Sequence, residues 1–209
     1  MIKHWLHFFH VLTSLTRPIV FARGHASTQL AGIMKRIDVE TRLNESRNLI
    51  LASMAALDEE QLRRPITPSE HDTTNYWTAL DHFSHLALIE QNFVAMIRRH
   101  VAGHENPVGL LSGPEGTARS REQIMAIVHA MTDEYQRDHH DDTLSVAVSL
   151  TSRARSETLA LLSELSDDEL DEPLEGAPWA DGTIGGVLGT NADHAALHWR
   201  WVTQTGLLD

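Results

Sequence analysis

A chain of 209 residues with 42% hydrophobic content is sized for one domain with a substantial core. It contains no cysteine, which excludes disulfides, thiolate metal sites and a cysteine nucleophile, and fits a reducing, cytoplasmic setting. The net charge of −12 argues against a nucleic-acid partner, because phosphate neutralisation needs a basic surface. No apolar run approaches the ~20 residues of a membrane-spanning helix, so no membrane partner is expected.

The charge is unevenly placed. Lys3, Arg17, Arg23, Lys35 and Arg36 are met before the first acid, Asp38. The apolar patch Trp5 to Leu15 is broken by His7 and His10 and lacks a convincing cleavage site, so it makes a poor secretory signal. An organelle transit peptide would suit the lack of acids but not the scarcity of arginine. Residues 1–35 are therefore read as an N-terminal arm, either disordered or an upstream extension with translation starting at Met34. Residues 36–209 are read as the domain.

From Ile37 to Leu57 the positions Leu43, Ile50, Met54 and Leu57 recur at helical spacing, and Pro65 and Pro68 follow in a loop. A second helix is expected from about Asn75 to His100, with Trp77, Leu80, His85, Leu88, Ile89 and Met96 on one side. A glycine- and proline-rich loop, Gly103 to Gly116, leads to a helix over Ser120–Arg137. The run Asp138-His139-His140-Asp141-Asp142 reads as a hydrophilic break before a helix over Leu144–Leu165. After the turns at Pro173, Gly176, Pro178 and Gly182, a last helix runs over about Thr183–Thr205. No stretch of strand-like alternation competes, so the fold is all-α.

One internal echo organises these helices. Leu57-Asp58-Glu59-Glu60-Gln61-Leu62-Arg63-Arg64-Pro65 matches Leu165-Ser166-Asp167-Asp168-Glu169-Leu170-Asp171-Glu172-Pro173 in its spacing of leucine, acids, leucine and proline. Each copy ends one helix and precedes another. Two such helix pairs suit a four-helix bundle with internal pseudo-symmetry. Aligning Thr78 with Thr183 sets His85 opposite Thr190, so the second helix of each pair presents imidazoles at similar depth.

The candidate chemistry lies in the last helix. His194 and His198 are four residues apart, hence one turn apart on the face that carries Val187, Trp201 and Thr205. Imidazoles at this spacing can share one divalent metal, although among 14 histidines such a pair also arises by chance. His85 shares a face with Ile89 and Met96 and should also point inward, as a ligand or as a hydrogen-bonded core residue. His82, about 60° round the helix and one turn lower, is expected near the rim. Trp201 should line the core near the site. Trp199, about 140° from His194, should pack elsewhere or meet a partner subunit. Arg200 reads as a surface charge.

Trp77-Thr78-Ala79-Leu80-Asp81-His82-Phe83-Ser84-His85-Leu86-Ala87-Leu88-Ile89-Glu90 places a tryptophan eight residues before a histidine that is followed by Leu-Ala and a glutamate. This resembles the second helix of the DinB/YfiT-like superfamily of metalloenzymes. Asp181-Gly182-Thr183-Ile184-Gly185-Gly186-Val187-Leu188, running on through His194 and His198, resembles its last helix. The likeness covers roughly residues 36–205. It implies a four-helix bundle holding a divalent metal on three histidines, here His85, His194 and His198. Residues 118–142 exceed the usual link, which implies an extra helix between the second and third core helices, over the site mouth or at an oligomer interface.

Three neutral imidazoles would leave Zn²⁺, or Ni²⁺ or Fe²⁺, with its full charge and an open position, the catalytic rather than the structural pattern. Such an ion favours bound hydroxide or thiolate. The resemblance implies the thiolate: relatives include transferases and isomerases that use bacillithiol, mycothiol or glutathione, among them mycothiol-dependent maleylpyruvate isomerase. Asp81 and Asp193 are candidate acceptors for imidazole N–H groups, or else solvated helix acids. The expected function is activation of a low-molecular-weight thiol, or water, for attack on an electrophilic small molecule. The alternative is a non-catalytic, stress-associated bundle that binds metal or ligand. The aromatic last helix makes a homodimer the expected assembly.

Overall fold

A computed structural model describes residues 35–69, 72–113 and 115–204 of the chain. The expectations for residues 1–34, and for Thr205 on the last helical stripe, lie outside the described residues. In chain order the elements are α1 (Arg36–Ala55), α2 (Glu59–Arg63), β1 (Thr67–Pro68), β2 (Tyr76–Trp77) and α3 (Ala79–Val101). There follow α4 (Arg121–His139), α5 (Leu144–Glu164), α6 (Asp167–Leu170) and α7 (Ile184–Thr203). The long helices α1, α3, α5 and α7 form the bundle: α3 packs on α5 and α7, and α1 closes the ring against the same two.

Local chemistry sets the helix starts. Asp58 caps α2 in a reciprocal box with Gln61, and Ser166 caps α6 in the same way with Glu169. Beyond each short helix the chain makes the same backbone bond, Ile66 N–H to Trp77 O at 2.9 Å and Leu174 N–H to Gly182 O at 2.8 Å. Thr78 and Thr183 then cap α3 and α7. The sequence echo is therefore a structural repeat, and the Thr78–Thr183 alignment falls on equivalent caps. Three details differ from expectation: the short helices α2 and α6 form within the two echoed segments, Pro68 lies on β1 rather than in a loop, and α3 starts late. Helix α3 starts after Thr78 rather than near Asn75, because Tyr76 and Trp77 pair antiparallel with Thr67 and Pro68. A two-residue ladder is too short to show alternation.

The two copies complete their caps differently. In α3 the N3 acid Asp81 accepts from Thr78 N–H and Oγ1, each at 2.8 Å. In α7 position N3 is Gly186, and Asp181 accepts the corresponding bonds from Thr183 instead. A Cβ on Gly186 would lie 2.1 Å from Asp181 Oδ1, so the glycine makes room for the substitute acid.

The apolar core is split into two parts. One gathers Val39, Leu43, Phe93, Ile97, Leu161, Ile184 and Leu188. The other gathers Ile50, Met54, Leu80, Phe83, Ala147, Ala195 and Val202. Between them every core helix but α1 contributes fully buried polar groups: Ser84, His85 and Glu90 from α3, Thr151, Arg155 and Thr158 from α5, Thr190, Asn191 and His194 from α7. Burying this many polar groups is costly unless they are paired or serve a ligand. The extra helix α4 packs on α3 and has no fully buried residue. No helix among the described residues is long and apolar enough to cross a membrane.

Candidate metal centre

Pairing within the polar layer divides it into two parts. The Glu90 carboxylate accepts from Arg155 Nε at 3.1 Å and from Thr158 Oγ1 at 3.0 Å, so this ion pair is internally satisfied. The histidine part is not. His85 Nδ1 is buried without a hydrogen-bond partner, as are Ser84 Oγ and both polar atoms of the Asn191 amide.

The registers of α3 and α7, fixed by their threonine caps, bring His85, His194 and His198 together, each 6% exposed. Ring centroids are 5.3 Å apart for His85 and His194, 4.9 Å for His85 and His198, and 4.4 Å for His194 and His198. One ligand atom from each of the three lies within 4.8 Å of the others, a spacing that can hold a metal ion. The Nε2 atoms of His194 and His198 stand 3.0 Å apart. Two nitrogens ~2.1 Å from one ion are separated by about 2.9 to 3.4 Å at bond angles of about 90° to 109°, so this separation suits adjacent ligands.

Burial makes these imidazoles poor bases. Desolvation pushes the His85 pKa down to about 4. His194 and His198 fall well below the ordinary histidine range, through burial first and the neighbouring imidazoles second. All three are neutral at neutral pH, the state a cation requires. The donor set and the orphaned His85 nitrogen both fit a divalent metal.

His82, expected near the rim, is buried inside the cluster. Its Nδ1 lies 2.9 Å from His198 Nδ1, and its Nε2 lies 2.6 Å from Thr67 Oγ1 on β1. Desolvation, with His85 nearby, pushes its pKa down to about 3. The missed signal was the spacing: residues at i, i+3 are neighbours on one helical face, so His82 accompanies His85 inward. The Trp77 ring stands 5.2 Å from both His82 and His85 and stacks near His198 at 6.2 Å. Trp201, half-buried, lies 4.8 Å from His198 and 6.0 Å from His82. Trp199 packs against the apolar core part that holds Phe83 and Val202.

The two acids lie apart from the imidazoles of the triad. Asp193 is half-exposed and pairs with Arg42 of α1 at 2.9 Å. This pair crosses α7 beside Gly189, where a Cβ would lie 2.9 Å from Arg42 Nη1. Asp81 is occupied by the Thr78 cap, and its Oδ1 takes Gln136 Nε2 at 3.2 Å and faces His140 Nδ1 at 3.0 Å. The end of α4 is thus tied to the start of α3, on the side where the histidines lie. Helix α4 runs two residues into the expected break, to His139, which pairs with Asp142, while the capping residue His140 pairs with Asp81.

The tryptophan–histidine helix and the glycine-rich histidine helix thus occur in one bundle, in that order and facing each other. The family model described as the DinB superfamily matches residues 42–202. The chain belongs to the DinB superfamily. The matched span runs from α1 into the last turn of α7 and contains all four clustered histidines. A solved structure of an uncharacterised protein from Escherichia coli UTI89 is similar to this DinB-superfamily chain. It shows a TM-score of 0.59 at 14% identity, covering 82% of this chain and 92% of its own. At that identity the likeness speaks for the fold alone. No curated protein matches the chain.

Proposed function

We propose that His85, His194 and His198 hold one divalent cation, and that the protein is a metal-dependent enzyme. Its substrate would be an electrophilic small molecule, attacked by a low-molecular-weight thiol or by water. The observation that carries this reading is the convergence of three buried, neutral imidazoles whose ligand atoms lie within 4.8 Å of one another. When bound, Zn²⁺, Ni²⁺ or Fe²⁺ on three such ligands keeps its charge and an open position, and lowers the pKa of a bound water or thiol. Asp193 and Asp81 have no part in this proposal as acceptors for the ligating imidazoles.

The chain's own residues prepare the setting. Trp77 and Trp201 wall the cluster with aromatic surface and limit water around it. Low dielectric strengthens electrostatic interactions there. With no cysteine in the chain, any sulfur nucleophile must arrive with a cosubstrate. In the same proposal the chain works in the cytoplasm, and α4, whose Ile124, Ile127 and Val128 are only half-buried, serves as the contact of a homodimer.

A second reading, metal or ligand binding without turnover, is favoured by one observation. The cavity beside His82 and His198, lined also by Phe83, Leu86 and Trp199, measures about 10 Å³. That is room for about one water molecule. A substrate entering through this cavity would have to displace side chains to reach His198. The test is consumption of an aryl chloride electrophile by the metal-loaded chain, with and without added thiol, beside the metal-stripped chain and His85→Ala. Turnover that needs metal and His85 supports the enzyme. Stoichiometric metal binding without turnover of any thiol–electrophile pair supports the binding protein.

A further inference from the structure

The fourth imidazole has no ligand's place in the triad, yet it is held as firmly as the other three. We infer that His82 is a positioning residue for the metal centre, fixing the tautomer and ring plane of His198 through a relay that begins at Thr67. The inference rests on the metal reading above.

The argument is one of donors and acceptors. All the imidazoles in the cluster are buried, so each carries one N–H and one lone pair. For His198 Nε2 to offer its lone pair beside His194 Nε2, the His198 proton must sit on Nδ1. That Nδ1 lies 2.9 Å from His82 Nδ1, which must then accept. The His82 proton is thereby placed on Nε2, which lies 2.6 Å from Thr67 Oγ1 and donates to it. Of the two directions the contacts allow, one leaves the His198 Nε2 lone pair free for the cation: His198 Nδ1–H to His82 Nδ1, then His82 Nε2–H to Thr67 Oγ1. The opposite direction would put a proton on His198 Nε2, where the cation has to be.

The relay also ties the site to the scaffold. Thr67 belongs to β1, whose pairing with β2 places Trp77 against both His82 and His85. The short ladder, an addition to an otherwise helical fold, thus orients the histidines of α3 and α7 together. Outer hydrogen-bond partners of ligating histidines are worth about 10- to 100-fold in metal affinity.

The experiment is Co²⁺ and Zn²⁺ titration of the full chain and of His82→Leu, His82→Asn and Thr67→Val. Thermal unfolding of each metal-free variant serves as the folding control. His82→Leu removes the acceptor and should weaken binding about 10- to 100-fold. His82→Asn can present an amide oxygen near the former Nδ1 and should recover most of that loss. Thr67→Val leaves every histidine in place and should weaken binding by several-fold, even if His82→Leu fails to fold. The Co²⁺ ligand-field bands should keep their positions in all variants that bind. Parent-like affinity in both His82→Leu and Thr67→Val would overturn the inference while leaving the metal reading intact. So would a band shift in His82→Asn that reports a lost nitrogen ligand. No metal binding by the parent chain would overturn the metal reading itself, and this inference with it.

Discussion

Arg155 of α5 meets Glu90 of α3 inside the bundle, both about 95% buried, in the same polar layer as the histidines. Thr158 Oγ1 donates to the same carboxylate, and the Arg155 guanidinium also donates to Leu43 O on α1. Three core helices are therefore joined through one charge pair. Removing one partner strands the other charge in low dielectric, at a cost of about 3 to 5 kcal/mol. Glu90→Ala and Arg155→Leu are each expected to lower unfolding free energy in urea by that amount. Replacing both with apolar residues together should cost much less than the sum. Losses below about 0.5 kcal/mol in the single variants would mean the pair is not desolvated in solution.

Stability should depend on pH through the histidines. The folded-state pKa values are depressed, to about 4 for His85 and about 3 for His82, against about 6.5 in the unfolded chain. Below pH 6.5 the unfolded state therefore binds more protons, and unfolding free energy falls as pH falls. The contribution is fully present above about pH 6.5 and is lost on the way down to the folded values. Each imidazole that stays neutral adds a slope of ~1.4 kcal/mol per pH unit in that window. Urea midpoints of the metal-free chain between pH 7.5 and 4.5 should show this decline, shallower in His85→Leu. A profile unchanged by His85→Leu would show that the side chain is not buried neutral.

Asp193 and Asp81 separate metal chemistry from helix architecture. Asp193→Ala removes a half-exposed pair with Arg42 and should leave Zn²⁺ affinity unchanged, with stability altered by less than about 1 kcal/mol. Asp81→Ala removes the acceptor of the Thr78 cap and should destabilise the chain by about 1 to 2 kcal/mol. A tenfold loss of Zn²⁺ affinity in Asp193→Ala would place that acid at the metal after all.

The α7 cap gives a prediction about coupling. Gly186→Ala must displace the Asp181 carboxylate, which accepts from Thr183 N–H and Oγ1. Loss of those bonds should cost about 1 to 2 kcal/mol. In an Asp181→Ala background the same substitution should cost little, so a double-mutant cycle should report a clear interaction energy. Additive losses would mean that the cap is not shared in this way.

Much of this architecture could be read in the sequence because it rests on local signals. Leu43, Ile50 and Met54 recur at helical spacing, and Thr78 and Thr183 sit before the helices they cap. The pairing of His194 with His198 is a one-turn relationship on a single helix, and only the choice of His85 needed the family resemblance. What could not be read depends on contacts between elements. Asp193 is adjacent to His194 in sequence, yet adjacent helical residues point ~100° apart, and Arg42 comes from another helix. The Arg155–Glu90 pair spans 65 residues and has no local pattern. His82 depends on Thr67, and the two-residue ladder that places Thr67 is too short to announce itself.

The most direct test is the metal content of the full chain, purified without a histidine tag and measured beside His194→Ala/His198→Ala. The account predicts about one divalent ion per chain in the parent and none in the double variant, which should still fold. No ion in the parent, even after incubation with Zn²⁺, Ni²⁺ or Fe²⁺, would contradict it, as would equal content in the two proteins.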